Sequence, residues 1–394
     1  MTTALRTSQW ARRFVFVGAC WLVVWQAVVL VGVSQRTWIL PALLGFVFHT
    51  VFGKAYSLVP TYFDRELSTT KLVPVHFVSA VGGTGFLTVG VHRSNDLLST
   101  TGGLLWIGAV LVFAVTIGWS IRDNLTGSET GTSESKAQLA SIDRFANPFM
   151  LIAFCYLLVG SSELLAVNSA VPPLFDGYPP RATHLLAAGA GGLIVFSVGF
   201  RLVPRFFSAP PPEPLAWLVL PAGAVAPTVL AASLPSGQFF VLGAILQASA
   251  VVGFGLAVVI LFYRSDRRPV GFYGVVGGGF CGILAASFGI LFAVDGVTPA
   301  RIASHARLNL LGLLGLTIVG ISYQFYPPAV GSFPLAGDRT ATAAMGLLLA
   351  GLLVDVGGQL TASTIPSTAG QLTALLGAAV HLWLVSGLFY EQSH

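Results

Sequence analysis

Apolar runs of about twenty residues alternate with short polar, proline- or glycine-rich breaks from one end of the chain to the other. Twelve runs stand out, at 13–34, 38–60, 72–91, 99–120, 148–170, 182–204, 214–234, 238–263, 270–294, 300–326, 339–358 and 369–390. A helix that crosses a bilayer needs about 20 mostly apolar residues. The pattern therefore predicts an all-α fold: a polytopic membrane bundle of about twelve transmembrane helices, forming a single integral membrane domain over residues 1–394. The run Phe14–Val33 follows Arg6, Arg12 and Arg13. It is longer than the apolar core of a cleaved leader and no small-x-small site follows it, so it reads as the first spanning helix. One connection is long: Arg122 to Asn147, rich in Ser, Thr, Glu and Asp, is expected to be a mobile polar loop (122–147).

Composition agrees with this pattern. Hydrophobic residues make up 55% of the chain, charged residues 9%, and the mean hydropathy is +0.81, whereas a soluble domain carries about 25% charged residues. Twenty Lys and Arg against fifteen Asp and Glu give a net charge of +5. The distribution of the basic residues implies orientation, not a nucleic-acid partner. Thirteen of them (Arg6, Arg12, Arg13, Arg65, Lys71, Arg122, Lys136, Arg144, Arg205, Arg264, Arg267, Arg268 and Arg339) fall on the side of the N-terminus, four (Arg36, Arg93, Arg181 and Arg301) on the other, and three (Lys54, Arg201 and Arg307) within runs. By the positive-inside rule both termini are expected in the cytoplasm, with the plasma membrane as the site and its lipid as the surrounding partner. Cys20, Cys155 and Cys281 occur singly in apolar runs and read as small hydrophobes.

An internal repeat shows at the ends of the second, sixth and tenth runs. Gly53-Lys54-Ala55-Tyr56-Ser57-Leu58-Val59-Pro60 aligns with Ser197-Val198-Gly199-Phe200-Arg201-Leu202-Val203-Pro204 and with Gly320-Ile321-Ser322-Tyr323-Gln324-Phe325-Tyr326-Pro327. The prolines lie 144 and 123 residues apart, which divides twelve helices into three units of four. A proline at a membrane exit and an aromatic at the interface would produce the same similarity without a repeat.

Ionisable side chains at membrane depth are expensive and therefore informative. They are His49, Lys54, Glu163, His184, Arg201, His305, Arg307, Asp355 and His381, with His76 near the start of the third run. His184, His305, Arg307, Glu163 and Asp355 are expected to form an outer polar layer, with Glu163 pairing Arg307 or relaying protons and Asp355 reaching the outer interface. Lys54 and Arg201 fall near the inner boundary, where snorkelling to phosphates accounts for them. His49 and His381 sit mid-span and each requires a protein partner or ligand; His49 joins His184 and His305 as a candidate metal ligand. His92 and His394 read as solvated. His184 precedes Pro204 by 20 residues and His305 precedes Pro327 by 22, with Arg307 at the 20-residue spacing. Histidines on facing helices are the donors that metal or haem coordination inside a bundle requires, although an isolated histidine more often hydrogen-bonds a neighbouring helix. The glycines of Gly277-Gly278-Gly279 and of Gly189, Gly191 and Gly192 lie inside apolar runs and favour close helix packing over phosphate binding. No His-Glu-x-x-His, nucleophile-elbow or nucleotide signature is present.

The stretch Ser304-His305-Ala306-Arg307-Leu308-Asn309-Leu310-Leu311-Gly312 to Pro327 resembles the tenth helix of haem–copper oxidase subunit I-like proteins, which include cbb3-type oxidases, nitric oxide reductases and NnrS-type proteins. The run from His184 to Phe206 resembles a companion helix. The resemblance implies a haem ligand at His305 and a copper or second haem ligand at His184. It also implies a place in respiratory or nitric oxide metabolism, with a redox partner subunit. Arg307 stands where the family has its second histidine, and no histidine pair for copper follows in the seventh run. The resemblance therefore implies at most one haem or metal site, with Arg307 meeting a propionate or another anion. Two other readings remain. One is a twelve-helix secondary transporter, suggested by Asp64-Arg65 and the intramembrane charges; the other is a cofactor-free accessory subunit.

Overall fold

The computed structural model describes residues 3–235 and 237–392 and is helical throughout, with no strand among them. Twelve helices among these residues are long and apolar enough to cross a membrane: α1 Thr3–Leu30, α2 Gln35–Tyr62, α3 Val73–Arg93, α4 Asp96–Asn124, α5 Glu134–Val167, α6 Pro179–Phe207, α7 Glu213–Ser233, α8 Phe240–Arg264, α9 Gly271–Asp295, α10 Pro299–Val330, α11 Asp338–Leu360 and α12 Thr364–Glu391. The beginning of α1 and the end of α12 lie on one face of this up-and-down bundle, where Arg12 donates to Gln392 Oε1 at 3.0 Å; it is here called the terminal face. His394 lies outside the described residues.

The helices form three equivalent units, α1–α4, α5–α8 and α9–α12. In each unit the first helix packs along the second, and the third and fourth make a tight hairpin. The fourth helix of each unit packs on the first of the next, and α12 on α1 closes the ring. The second helix of each unit stands inside: 78, 83 and 78% of the most apolar stretch of α2, α6 and α10 is buried, against at most 56% in the other nine. Nine helices therefore face outward around three that do not.

The inner helices share an unusual backbone. Each contains a π-helical stretch, Pro41–Phe48, Leu185–Gly192 and Leu308–Leu316, which begins 19 residues before Pro60, Pro204 and Pro327 respectively. The π-helix is rare and occurs mostly as single turns, so three such stretches in one register establish the repeat that the C-terminal octapeptides only suggested. Gly45, Gly189 and Gly312 occupy one position in this register, 15 residues before each proline. A Cβ on any of them would collide with the first helix of its own unit, at Trp21, Tyr156 and Cys281. Val47, Gly191 and Leu314 are also equivalent, and a Cβ on Gly191 would meet both Leu314 and Val47 where the three π-helical stretches come together on the pseudo-threefold axis. The glycines of Gly277-Gly278-Gly279 serve close packing as expected, Gly278 against Thr317 and Gly279 against Gly255. Of the cysteines, only Cys281 is buried, and Cys155 faces outward.

The polar stretch 122–147 departs from the free loop expected of it. A full helix begins at Ala140, eight residues before the predicted boundary. Asn124 donates to the carbonyls of Phe63 and Glu129, and Asn147 to those of Tyr62 and Gly127. Asp143 is fully buried. The segment is polar because it hydrogen-bonds the ends of α2 and α4 and neutralises buried cations, and not because water surrounds it.

Gly189→Leu should overpack the α5–α6 contact and cost about 3 kcal/mol, whereas Gly108→Leu, where a Cβ meets open space, should leave the thermal midpoint of the detergent-purified protein unchanged. Equal midpoints for the two variants would contradict the close approach at Gly189.

Candidate functional site

Each inner helix carries one cation at membrane depth, and the surroundings of the three differ. Arg307 on α10 is 1% exposed and pairs with Asp355 of α11 at 3.1 Å, while its Nη1 donates to Gln26 Oε1 of α1 at 3.0 Å. Asp355 is itself fully buried and accepts from Ser367 Oγ at 2.7 Å and Gln371 Nε2 at 3.0 Å, both on α12. Two expectations are corrected here. Asp355 does not reach an interface, and Glu163 is not the partner of Arg307, since Glu163 accepts the backbone N–H of Leu174 at 2.6 Å. An arginine and an aspartate meeting inside the bundle satisfy each other where neither reaches water, and that fixes the pairing. Arg307 Nη2, Gln26 Nε2 and Trp25 Nε1 remain as buried donors without a partner.

Arg201 on α6 is likewise no snorkelling anchor. It is 2% exposed, lies 3.5 Å from Asp143, donates to Tyr62 O at 3.1 Å and to Asn147 Oδ1, and stacks over the Tyr62 ring at 4.1 Å. Arg205 one turn on also pairs with Asp143. The carboxylate holds the guanidinium inside the bundle, so lipid phosphates play no part. Lys54 on α2 differs again. Its ammonium sits 3.7 Å from the centre of the Phe325 ring and 4.5 Å from that of Tyr326, and donates to Tyr326 Oη at 3.3 Å. No carboxylate reaches it among the described residues.

The histidines fall into three groups. His184 and His305 lie on α6 and α10 in the half of the bundle away from the terminal face, half-buried and within electrostatic reach of each other. His184 Nδ1–H donates to Pro180 O at 2.8 Å, and His305 Nδ1–H to Ala285 O at 3.0 Å. Both imidazoles are thereby fixed in the tautomer whose Nε2 carries the lone pair. The Asn309 amide donates to His305 Nε2 at 3.2 Å. His305 turns to α9, whereas Arg307, two residues on, turns to α1 and α11, so the two cannot serve a single group. The second group lies nearer the terminal face. His49 donates from Nδ1 to Leu44 O at 2.8 Å, and His76 Nδ1 bonds Tyr56 Oη at 2.8 Å. Both are fully buried among Phe14, Phe52 and Phe113, lie within electrostatic reach of each other, and leave Nε2 without a partner. His381 stands alone, bonded through Nδ1 to Tyr323 Oη at 3.0 Å. His92 is exposed.

Among the described residues no three His, Cys, Asp or Glu side chains converge on one point. The outer pair therefore offers two nitrogen donors or one axial ligand, not a closed tetrahedral set. Beside it, Asp176 in the α5–α6 connection is held down at about 2 by the hydrogen-bonding Arg181 guanidinium, and Arg181 also donates to Ala231 O. This clamp ties the connection to α6 and α7 throughout the ordinary pH range.

Asp143, Asn147, Gln26, Tyr56 and Tyr323 belong to these networks and were missed in the sequence. Asp143 and Asn147 share a helix face at i, i+4 spacing, a signal hidden because the stretch was read as loop. The chain was compared with family models and with curated proteins; no family model and no curated protein matches it.

Asp355→Leu should destabilise the protein by about 3–5 kcal/mol, since it strands a buried guanidinium. Combining it with Arg307→Leu should recover most of that loss. A double variant as unstable as the sum of the singles, measured by thermal unfolding in detergent, would show that the two side chains are not coupled.

Proposed function

We propose that this membrane protein is a divergent relative of the haem–copper oxidase subunit I-like proteins and holds a single imidazole-ligated metal centre at His184 and His305. The observation that carries this reading is the shared tautomer of the two rings. Each donates Nδ1–H to a backbone carbonyl and so presents a neutral Nε2 lone pair, as second-shell hydrogen bonds do at metal sites. The three-by-four arrangement supports an oxidase-like frame over a carrier built of two six-helix halves. Copper or a haem iron suits imidazole donors, and the group would bring electron transfer or binding of a small gas such as nitric oxide.

The fit extends to one centre only. The second histidine of the family pattern is Arg307, and its side chain is committed to Asp355 and Gln26. Asn309 occupies His305 Nε2 and competes with any metal for that lone pair. The residues thus argue for a redox or ligand-binding role beside a respiratory partner, and against a complete two-haem, copper-bearing oxygen-reducing centre.

Protein purified from membranes and supplied with haem or with copper should retain about one equivalent of one of them. A Soret band would identify haem, and bound copper without that band a free ion. His184→Ala and His305→Ala should each abolish retention. Asn309→Leu should strengthen it about fivefold, the worth of one ~1 kcal/mol hydrogen bond. Failure to retain either group, or retention that survives both histidine substitutions, would overturn the assignment.

A further inference from the structure

On the pseudo-threefold axis, in the half nearer the terminal face, lies a cavity of about 100 Å³. Equivalent positions of the three inner helices line it: Thr50, Ile194 and Thr317 in one layer, then Lys54, Val198 and Ile321 one turn on. In register, the layer Val47, Gly191 and Leu314 falls between it and the outer histidines. The walls are almost wholly aliphatic, and the single charge among them is the Lys54 ammonium.

Comparison of the three units makes that charge conspicuous. The inner cation of the second unit is paired by Asp143 of α5, and that of the third by Asp355 of α11, each carboxylate coming from the same unit as its cation. The first unit supplies none. Lys54 has only two ring faces and one phenol, too little to offset removal of an ammonium from water. A lone cation and an apolar void therefore meet at one place.

We propose that this cavity binds a short aliphatic monocarboxylate, with its carboxylate on Lys54, its second oxygen accepting from the Tyr326 hydroxyl, and its tail among Ile194, Val198 and Ile321. The anion supplies the charge that the first unit lacks. An engineered cavity of 150 Å³ holds a benzene ring, so a void of this size suits a tail of about four carbons and excludes a full lipid chain. The inference does not depend on the metal centre, which in register lies on the other side of the layer Val47, Gly191 and Leu314.

The test uses the full chain in lipid nanodiscs, with butyrate and the uncharged butanol as probes in calorimetric titrations. Butyrate should bind saturably at one site, at least tenfold tighter than butanol. Lys54→Met should abolish that preference and Lys54→Arg should keep it. Val198→Phe, which fills the void without touching the charge, should block both probes; Ile321→Phe replaces it if the former fails to fold. Nanodiscs doped with oleate separate the aqueous from the bilayer source: butyrate binding unaffected by oleate supports a water-borne ligand, and displacement by oleate overturns the size limit. Equal affinity for butyrate and butanol, or butyrate binding unchanged by Lys54→Met, would overturn the proposal.

Discussion

Close approach at three glycines governs this molecule. In a bilayer no hydrophobic force drives one helix onto another, because lipid tails are as apolar as leucine; packing must come from dispersion over well-fitted surfaces. Gly45, Gly189 and Gly312 let Trp21, Tyr156 and Cys281 lie directly on the backbone of the inner helices, and they do so within π-helical turns, where the backbone is wider than an α-helix. That contact seals α2, α6 and α10 from lipid. The intramembrane cations Lys54, Arg201 and Arg307 all lie on these three helices, where the ring of nine shields them from hydrocarbon.

The charges follow from that enclosure. An isolated guanidinium in hydrocarbon would cost more than any single helix contact returns, so each buried arginine has a carboxylate delivered by an outer helix of its own unit. Asp143 comes from α5 and Asp355 from α11, which are not equivalent helices. Arg201 and Arg307 are not equivalent either, standing 3 and 20 residues before their prolines, so the two pairs are different solutions around one repeated backbone. Such pairs contribute little net stability against an apolar alternative. They instead fix which helix faces which: Arg307 binds α10 to α1 and α11 together, and Asp355 adds α12.

Helix number, helix type and the three-unit plan were legible in the sequence, because hydropathy is a local property and a spanning helix must satisfy it over its whole length. The octapeptides ending at Pro60, Pro204 and Pro327 pointed to the correct inner helices. The stronger mark, a glycine 15 residues before each proline, lay outside the aligned window. Partners were much less legible. Glu163 and Asp355 look alike in sequence, and which of them meets Arg307 depends on rotation about the helix axis, which an apolar face all round does not fix. Asp143 was hidden for a related reason: a carboxylate required by a buried arginine reads as loop when only composition is weighed. Lys54 and Arg201 had the same apparent depth, yet one is ion-paired and the other is not.

The two halves of the central axis differ in chemistry although the backbone repeats. Away from the terminal face the register positions 20 and 22 residues before the prolines hold His184 in α6, His305 and Arg307 in α10, and Leu40 and Trp38 in α2. Toward the terminal face the odd member is again α2, which there carries Lys54 opposite Val198 and Ile321. The first unit is thus apolar where the others bear imidazole, and charged where the others are apolar. A pseudo-symmetric scaffold gains a directional site only by breaking its symmetry, and here both breaks fall on the same helix. In register, the equivalent positions Val47, Gly191 and Leu314 fall between them, so the repeated backbone carries one chemistry toward each face.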